Sequence, residues 1–212
     1  MRRLFDAVRP DLVRRLFYPA VVVGCLWPGL VLARRTWAGD LGVNPVETLL
    51  HETGRTALGL LLITLTVTPV RRLTGWNRVQ RVRRLLGVSS FAYALLHFTI
   101  YVVFNHLGDV RAIWSDVTER PFIFVGMLAL VILTLLAATS TNGMIRRLGR
   151  RWQRLHRLVY VAAVAGLVHF AWGQKADIRE PLWWAAYLGV LLALRVLLAV
   201  RRRARAEASV TP

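Results

Sequence analysis

Six apolar runs of about twenty residues each leave this chain few folds. They fall near 17–33, 48–67, 85–104, 122–139, 155–172 and 182–200. At about 1.5 Å per helical residue, each run matches a hydrocarbon core of about 30 Å. Within lipid every backbone polar group needs an internal partner, so runs of this length read as helices rather than open strands. The expected fold is all-α, a polytopic bundle of six transmembrane helices filling 17–200. A cytoplasmic segment, 1–16, precedes it and a basic tail, 201–212, follows. Pro45, Pro69, Pro121 and Pro181 mark edges of runs, where a missing N–H costs little. Pro28 falls inside the first run and predicts a kink, with Trp27 and Trp37 as interface anchors. The first run reads as a retained helix rather than a cleaved signal peptide. No internal repeat and no linker to a second domain is evident.

The loops supply sidedness. Lys and Arg total 29 against 11 Asp and Glu, a net charge of +18. In a soluble chain that excess would suggest nucleic acid, but here the arginines punctuate apolar runs, which argues against it. Arg2, Arg3, Arg9, Arg14 and Arg15, the loop 71–84, the loop 146–154 and the tail 201–205 alternate with three loops that carry most of the acids. By the positive-inside rule the arginine-rich loops and both termini are cytoplasmic. Their main expected role is topology and contact with anionic lipid, and docking of an acidic cytosolic donor is a secondary one. Cys25 is the only cysteine, so the chain has neither an internal disulfide nor a Cys-x-x-Cys-His for covalent haem. A haem held here would be b-type.

Imidazoles inside hydrocarbon are costly, and a pair at matching depth can clamp a haem iron from both faces. Arg83 stands fourteen residues before His97, and His156 thirteen before His169. Runs three and five cross in the same direction, so His97 and His169 fall at one depth toward the outer side. Arg83 and His156 fall about 20 Å deeper, near the inner ends. Fourteen residues return to the same helix face, whereas thirteen do not. Run five must therefore wind tighter locally, or its histidines must approach from different azimuths. The competing reading of His97 and His169 is interhelical packing, and that of His156 a solvated side chain among arginines. His51 begins run two and is placed for a haem propionate, a quinone or water. Arg55, one turn further in, either snorkels or pairs with a propionate. His106 reads as solvated.

Other chemistry is poorly supplied. The chain has no G-x-G-x-x-G, P-loop, G-x-S-x-G or His-Glu-x-x-His. Electrons would have to come from quinol or a separate cytosolic flavin reductase.

The segments HETGRTAL (51–58), RRLLG (83–87) followed by His97, ERPFIFVG (119–126), TSTNGMIRRLGRRWQRLHRLVYVAA (139–163) and HFAW (169–172) strongly resemble the MsrQ family, formerly YedZ. The resemblance covers about 44–195. It implies the ferric-reductase-like transmembrane fold shared with NADPH oxidases, one or two b haems, an association with FMN, and a bacterial inner-membrane location. It also implies an electron-transfer subunit rather than a catalytic one, serving MsrP, a periplasmic molybdopterin enzyme that repairs methionine sulfoxide. The family's haem histidines fall on His97, His156 and His169. Where the related oxidases carry a fourth ligand this sequence has Arg83, either an unusual ligand or a propionate contact. No FMN site is located by residues, and only cytoplasmic arginines offer phosphate partners. The alternatives are a reductase of ferric iron or oxygen acting at the outer haem, and a non-redox anchor.

Overall fold

The computed structural model describes residues 10–174 and 178–208. Arg2, Arg3, Arg9 and Asp177, part of the charge reading above, lie outside them. The described residues contain helices and no strand, and six helices are long and apolar enough to cross a membrane. The chain is a multi-pass membrane protein.

The spans are α1 (Pro10–Trp37), α2 (Pro45–Thr74), α3 (Arg83–Ile100, continued by a π turn at Tyr101–Asn105), α5 (Pro121–Ala138), the stretch Arg150–Gly173 that ends in α8 (Val159–Gly173), and α9 (Arg179–Ala208). Asn44 caps α2 by accepting the Glu47 N–H, with Pro45 in the first turn. Gly75, at φ +73°, closes α2 in the left-handed conformation and gives its N–H to Arg71. Pro69 does not end this helix as expected, because α2 continues through it to Thr74.

Three short helices were not anticipated: α4 (Val110–Glu119), α6 (Asn142–Leu148) and α7 (Arg150–Leu155). Asp109 caps α4 through the N–H groups of Arg111 and Ala112. The residues from His156 to Leu158 form a 3-10 turn leading into α8, so some tighter winding, one of the two ways of meeting the thirteen-residue spacing, begins at His156 itself.

α2 occupies the centre. Half of its apolar stretch is buried, against 11% for α1 and for α9, whose outer faces are left to lipid. The main core joins Leu58, Leu62 and Leu65 of α2 to Leu133 and Leu136 of α5, Ala162 and Ala163 of α8, and Leu188 and Leu191 of α9. A second cluster packs Cys25 of α1 against Leu60, Val67 and Leu86. The most extensive helix contacts are α2 with α3 and α5 with α8. Ser90, fully buried on α3, gives its hydroxyl to the Ala57 carbonyl of α2 at 2.8 Å. The bundle is thus built around two antiparallel pairs, and the histidines sit where the pairs face each other.

Candidate haem site

The carbonyl of Leu50 on α2 and the Nδ1 of His97 on α3 stand 2.9 Å apart, and the carbonyl of Phe122 on α5 and the Nδ1 of His169 on α8 stand 2.7 Å apart. A carbonyl only accepts, so Nδ1 carries the proton in both rings and Nε2 keeps its lone pair. Neither Nε2 has a hydrogen-bond partner among the described residues. Thr53 approaches His97 Nδ1 at 3.5 Å while giving its hydroxyl to Leu49. This is the arrangement that orients an imidazole as a metal ligand and raises its basicity.

The two rings stand with centres 6.1 Å apart and planes at 86°. Two imidazoles gripping one metal from opposite sides, at metal–nitrogen distances of about 2.0 Å, have centres about 6 Å apart. The spacing and free Nε2 atoms therefore fit a bis-imidazole iron. Phe122 stacks on His169 with ring centres 5.9 Å apart.

Both histidines line a cavity of about 320 Å³, mostly apolar, with walls from Leu58, Leu61, Leu133 and Ala162. Its polar groups gather at the end where most of the acids lie: His51, Arg55, Asn105, Asp116, Arg120 and Gln174. Arg55 Nη2 meets Glu180 Oε2 at 2.5 Å, tying α2 to the start of α9, while its buried Nε has no partner. An unsatisfied cationic N–H in the wall suits an anionic substituent such as a propionate.

Sequence reasoning missed the other side of this mouth. The π turn after His97 carries Tyr101, whose hydroxyl gives a 2.8 Å hydrogen bond to Asp116 Oδ2. His106 Nε2 lies 3.0 Å from the same oxygen, and Arg120 Nε lies 3.1 Å from Asp116 Oδ1. His106, read as solvated, is therefore a partner of Asp116, its side chain 14% exposed. The available signal was Arg120 directly before Pro121, a charged residue at the start of a run.

Arg83 and His156 do not line this cavity. His156 stacks on Trp152, ring centres 3.8 Å apart, with Nδ1 3.2 Å from the Trp152 carbonyl and Nε2 buried without a partner. Arg83 is close enough for its charge to act on His156. Arg195 of α9, which the sequence reading passed over, joins this level through Tyr160 of α8 and the Leu65 carbonyl, leaving its Nε unsatisfied and buried. The structure thus separates the sequence-derived residues into one cavity with His97, His169, His51 and Arg55, and a second basic cluster with His156 and Arg83.

The family model described as "Ferric reductase like transmembrane component" matches residues 53–167, a stretch that holds His97 and His156. Among curated relatives, the protein-methionine-sulfoxide reductase heme-binding subunit MsrQ of Rhodospirillum rubrum is 48% identical, over 89% of this chain and 91% of that one. The protein of the same description from Herminiimonas arsenicoxydans is 46% identical over 88% and 87%. That from Ralstonia nicotianae is 50% identical over 73% of each chain. No solved structure matches significantly. The fold, the ordered motifs and these relatives agree: the chain belongs to the MsrQ family of ferric-reductase-like transmembrane proteins.

Proposed function

We propose that this chain is a b-type haem electron carrier of the bacterial inner membrane, taking electrons from quinol or a cytosolic flavin reductase and delivering them to the periplasmic molybdopterin enzyme MsrP for repair of methionine sulfoxide in proteins. The observation that carries the reading is the facing pair His97 and His169, each with Nδ1 fixed on a carbonyl and Nε2 free, with ring centres 6.1 Å apart. The relatives named for haem binding and for a methionine-sulfoxide reductase support it.

His97 and His169 would hold the iron, and a haem bound between them supplies a one-electron carrier. Arg55, through its unsatisfied Nε, and Arg120 would hold the propionates, with His51 on the same rim. The apolar walls from α2, α5 and α8 exclude water from the iron. At the arginine-rich end, His156 would hold a second haem or a flavin with Arg83 opposite, and arginines there would meet an FMN phosphate. Both termini are cytoplasmic in this reading, because the arginine-rich loops share their side of the bundle.

The test uses membranes containing the full chain, a flavin reductase or quinol, and MsrP with oxidised peptide substrate. Sulfoxide reduction that needs both this chain and MsrP is expected. Equal consumption of donor electrons without MsrP, with ferric iron or oxygen as acceptor, would favour a metalloreductase instead.

A further inference from the structure

The two halves of the site are built by one rule. A shift of 72 residues carries Leu50 onto Phe122, Gly54 onto Gly126 and His97 onto His169, and both histidines bond a carbonyl 47 positions earlier. The shift also aligns GRTAL (54–58) with GMLAL (126–130) and ALLHF (94–98) with GLVHF (166–170). It maps the pair α2 and α3 onto α5 and α8, the two most extensive helix pairs. In each half the glycine stands one helical turn beyond the accepting carbonyl, directly beneath the imidazole. A Cβ at Gly126 would lie 2.6 Å from His169 Nδ1 and 2.8 Å from its Cε1. A Cβ at Gly54 would lie 3.2 Å from His97 Nδ1 and 3.3 Å from its Cε1.

Resting on the reading of His97 and His169 as axial ligands, we propose that Gly54 and Gly126 are positioning residues for the iron. The missing Cβ lets each imidazole lie flat on the neighbouring helix while Nδ1–H reaches the carbonyl four residues back. Two contacts then fix each ring: the carbonyl sets the direction of the Nδ1–Nε2 axis, and the bare helix surface sets rotation about it. The product is the 86° angle between the planes. Crossed ligand planes leave the two iron d orbitals that bond with the imidazoles nearly equal in energy, and a ferric haem so held gives a highly anisotropic low-spin resonance. Parallel planes split those orbitals and give a rhombic signal.

Any side chain at Gly126 forces His169 back by about 1 Å to reach ordinary contact at about 3.5 Å, which breaks its carbonyl bond. At Gly54 the displacement is only about 0.3 Å. The two positions therefore predict a graded response.

The experiment is electron paramagnetic resonance of the purified, haem-loaded full chain, with haem per chain measured in parallel. The native protein is expected to give the highly anisotropic low-spin signal. Gly54→Ala should keep its haem and move that signal toward the rhombic type. Gly126→Ala should lose most of it, through haem loss or conversion to high spin. Gly87→Ala, whose added Cβ would meet only Thr64 Cγ2 at an ordinary 3.8 Å, should match the native spectrum. A native protein without any low-spin signal overturns the ligand reading itself. A native low-spin signal left unchanged by Gly54→Ala overturns the positioning role alone, as does a Gly87→Ala variant that loses the signal to the same extent.

Discussion

Tyr93 places its hydroxyl inside the backbone ladder of the first span at Gly29. It accepts the Gly29 N–H at 2.7 Å and donates to the Cys25 carbonyl at 2.9 Å, two groups that would otherwise bond each other one helical turn apart. Pro28, next to Gly29, loosens the ladder, and the inserted hydroxyl satisfies both backbone groups while joining α3 to α1. A Cβ at Gly29 would stand 2.8 Å from that oxygen, so glycine makes room for it. Tyr93→Phe should destabilise the chain by about 1–3 kcal/mol, the cost of leaving a buried donor or acceptor unmet. Thermal unfolding in detergent measures this. An unchanged midpoint would mean that α1 closes its own ladder once the hydroxyl is gone.

The inner level gives a kinetic prediction. His156→Ala should leave the optical spectrum of the outer haem intact while slowing its reduction by the native donor at least tenfold. Arg83→Ala should do so more mildly if its role is to pair with a propionate or phosphate rather than to hold a metal. Stopped-flow reduction in membranes separates the cases. Native rates in the His156 variant would show that no electrons pass through that level.

Docking of MsrP on the acidic loops would have only a narrow surface to use. Asp116 is held by Tyr101, His106 and Arg120 and is only 15% exposed, and Glu180 is engaged by Arg55. Glu119 is exposed, its carboxylate accepting, among the described residues, the Ser115 hydroxyl at 2.6 Å, whereas Asp109 is committed to capping α4. Glu119→Lys should therefore slow electron transfer to MsrP in a salt-dependent way without disturbing the haem spectrum. Asp116→Asn should perturb the cavity wall instead. A Glu119→Lys rate equal to native at low ionic strength would place the docking surface elsewhere.

The spans and the histidines were legible because both are written in spacing. Length fixed the six helices, and the thirteen-residue interval pointed either to a tightened turn, of the kind found at His156, or to histidines at different azimuths. The helix ends were less legible. Polar residues such as Arg71 and Arg72 lower the hydropathy of α2's last turns without breaking its hydrogen bonds, so the helix outruns its apolar core. The mouth of the cavity was not legible, since it depends on a π turn that re-aims Tyr101 and on the short helix α4 that brings Asp116 to meet it. Nor was the 72-residue correspondence, whose signal is a few small and apolar residues until the two carbonyl–imidazole bonds align it.

The most direct test of the central claim is haem stoichiometry and the reduced and oxidised optical spectra of the purified chain beside its His97→Ala and His169→Ala variants. One haem site shared by both residues predicts a native Soret band with a low-spin ferric spectrum, and two variants that lose the same component to the same degree. If both variants keep the native haem content and an unchanged low-spin spectrum, the iron is held elsewhere and the facing imidazoles are not its ligands.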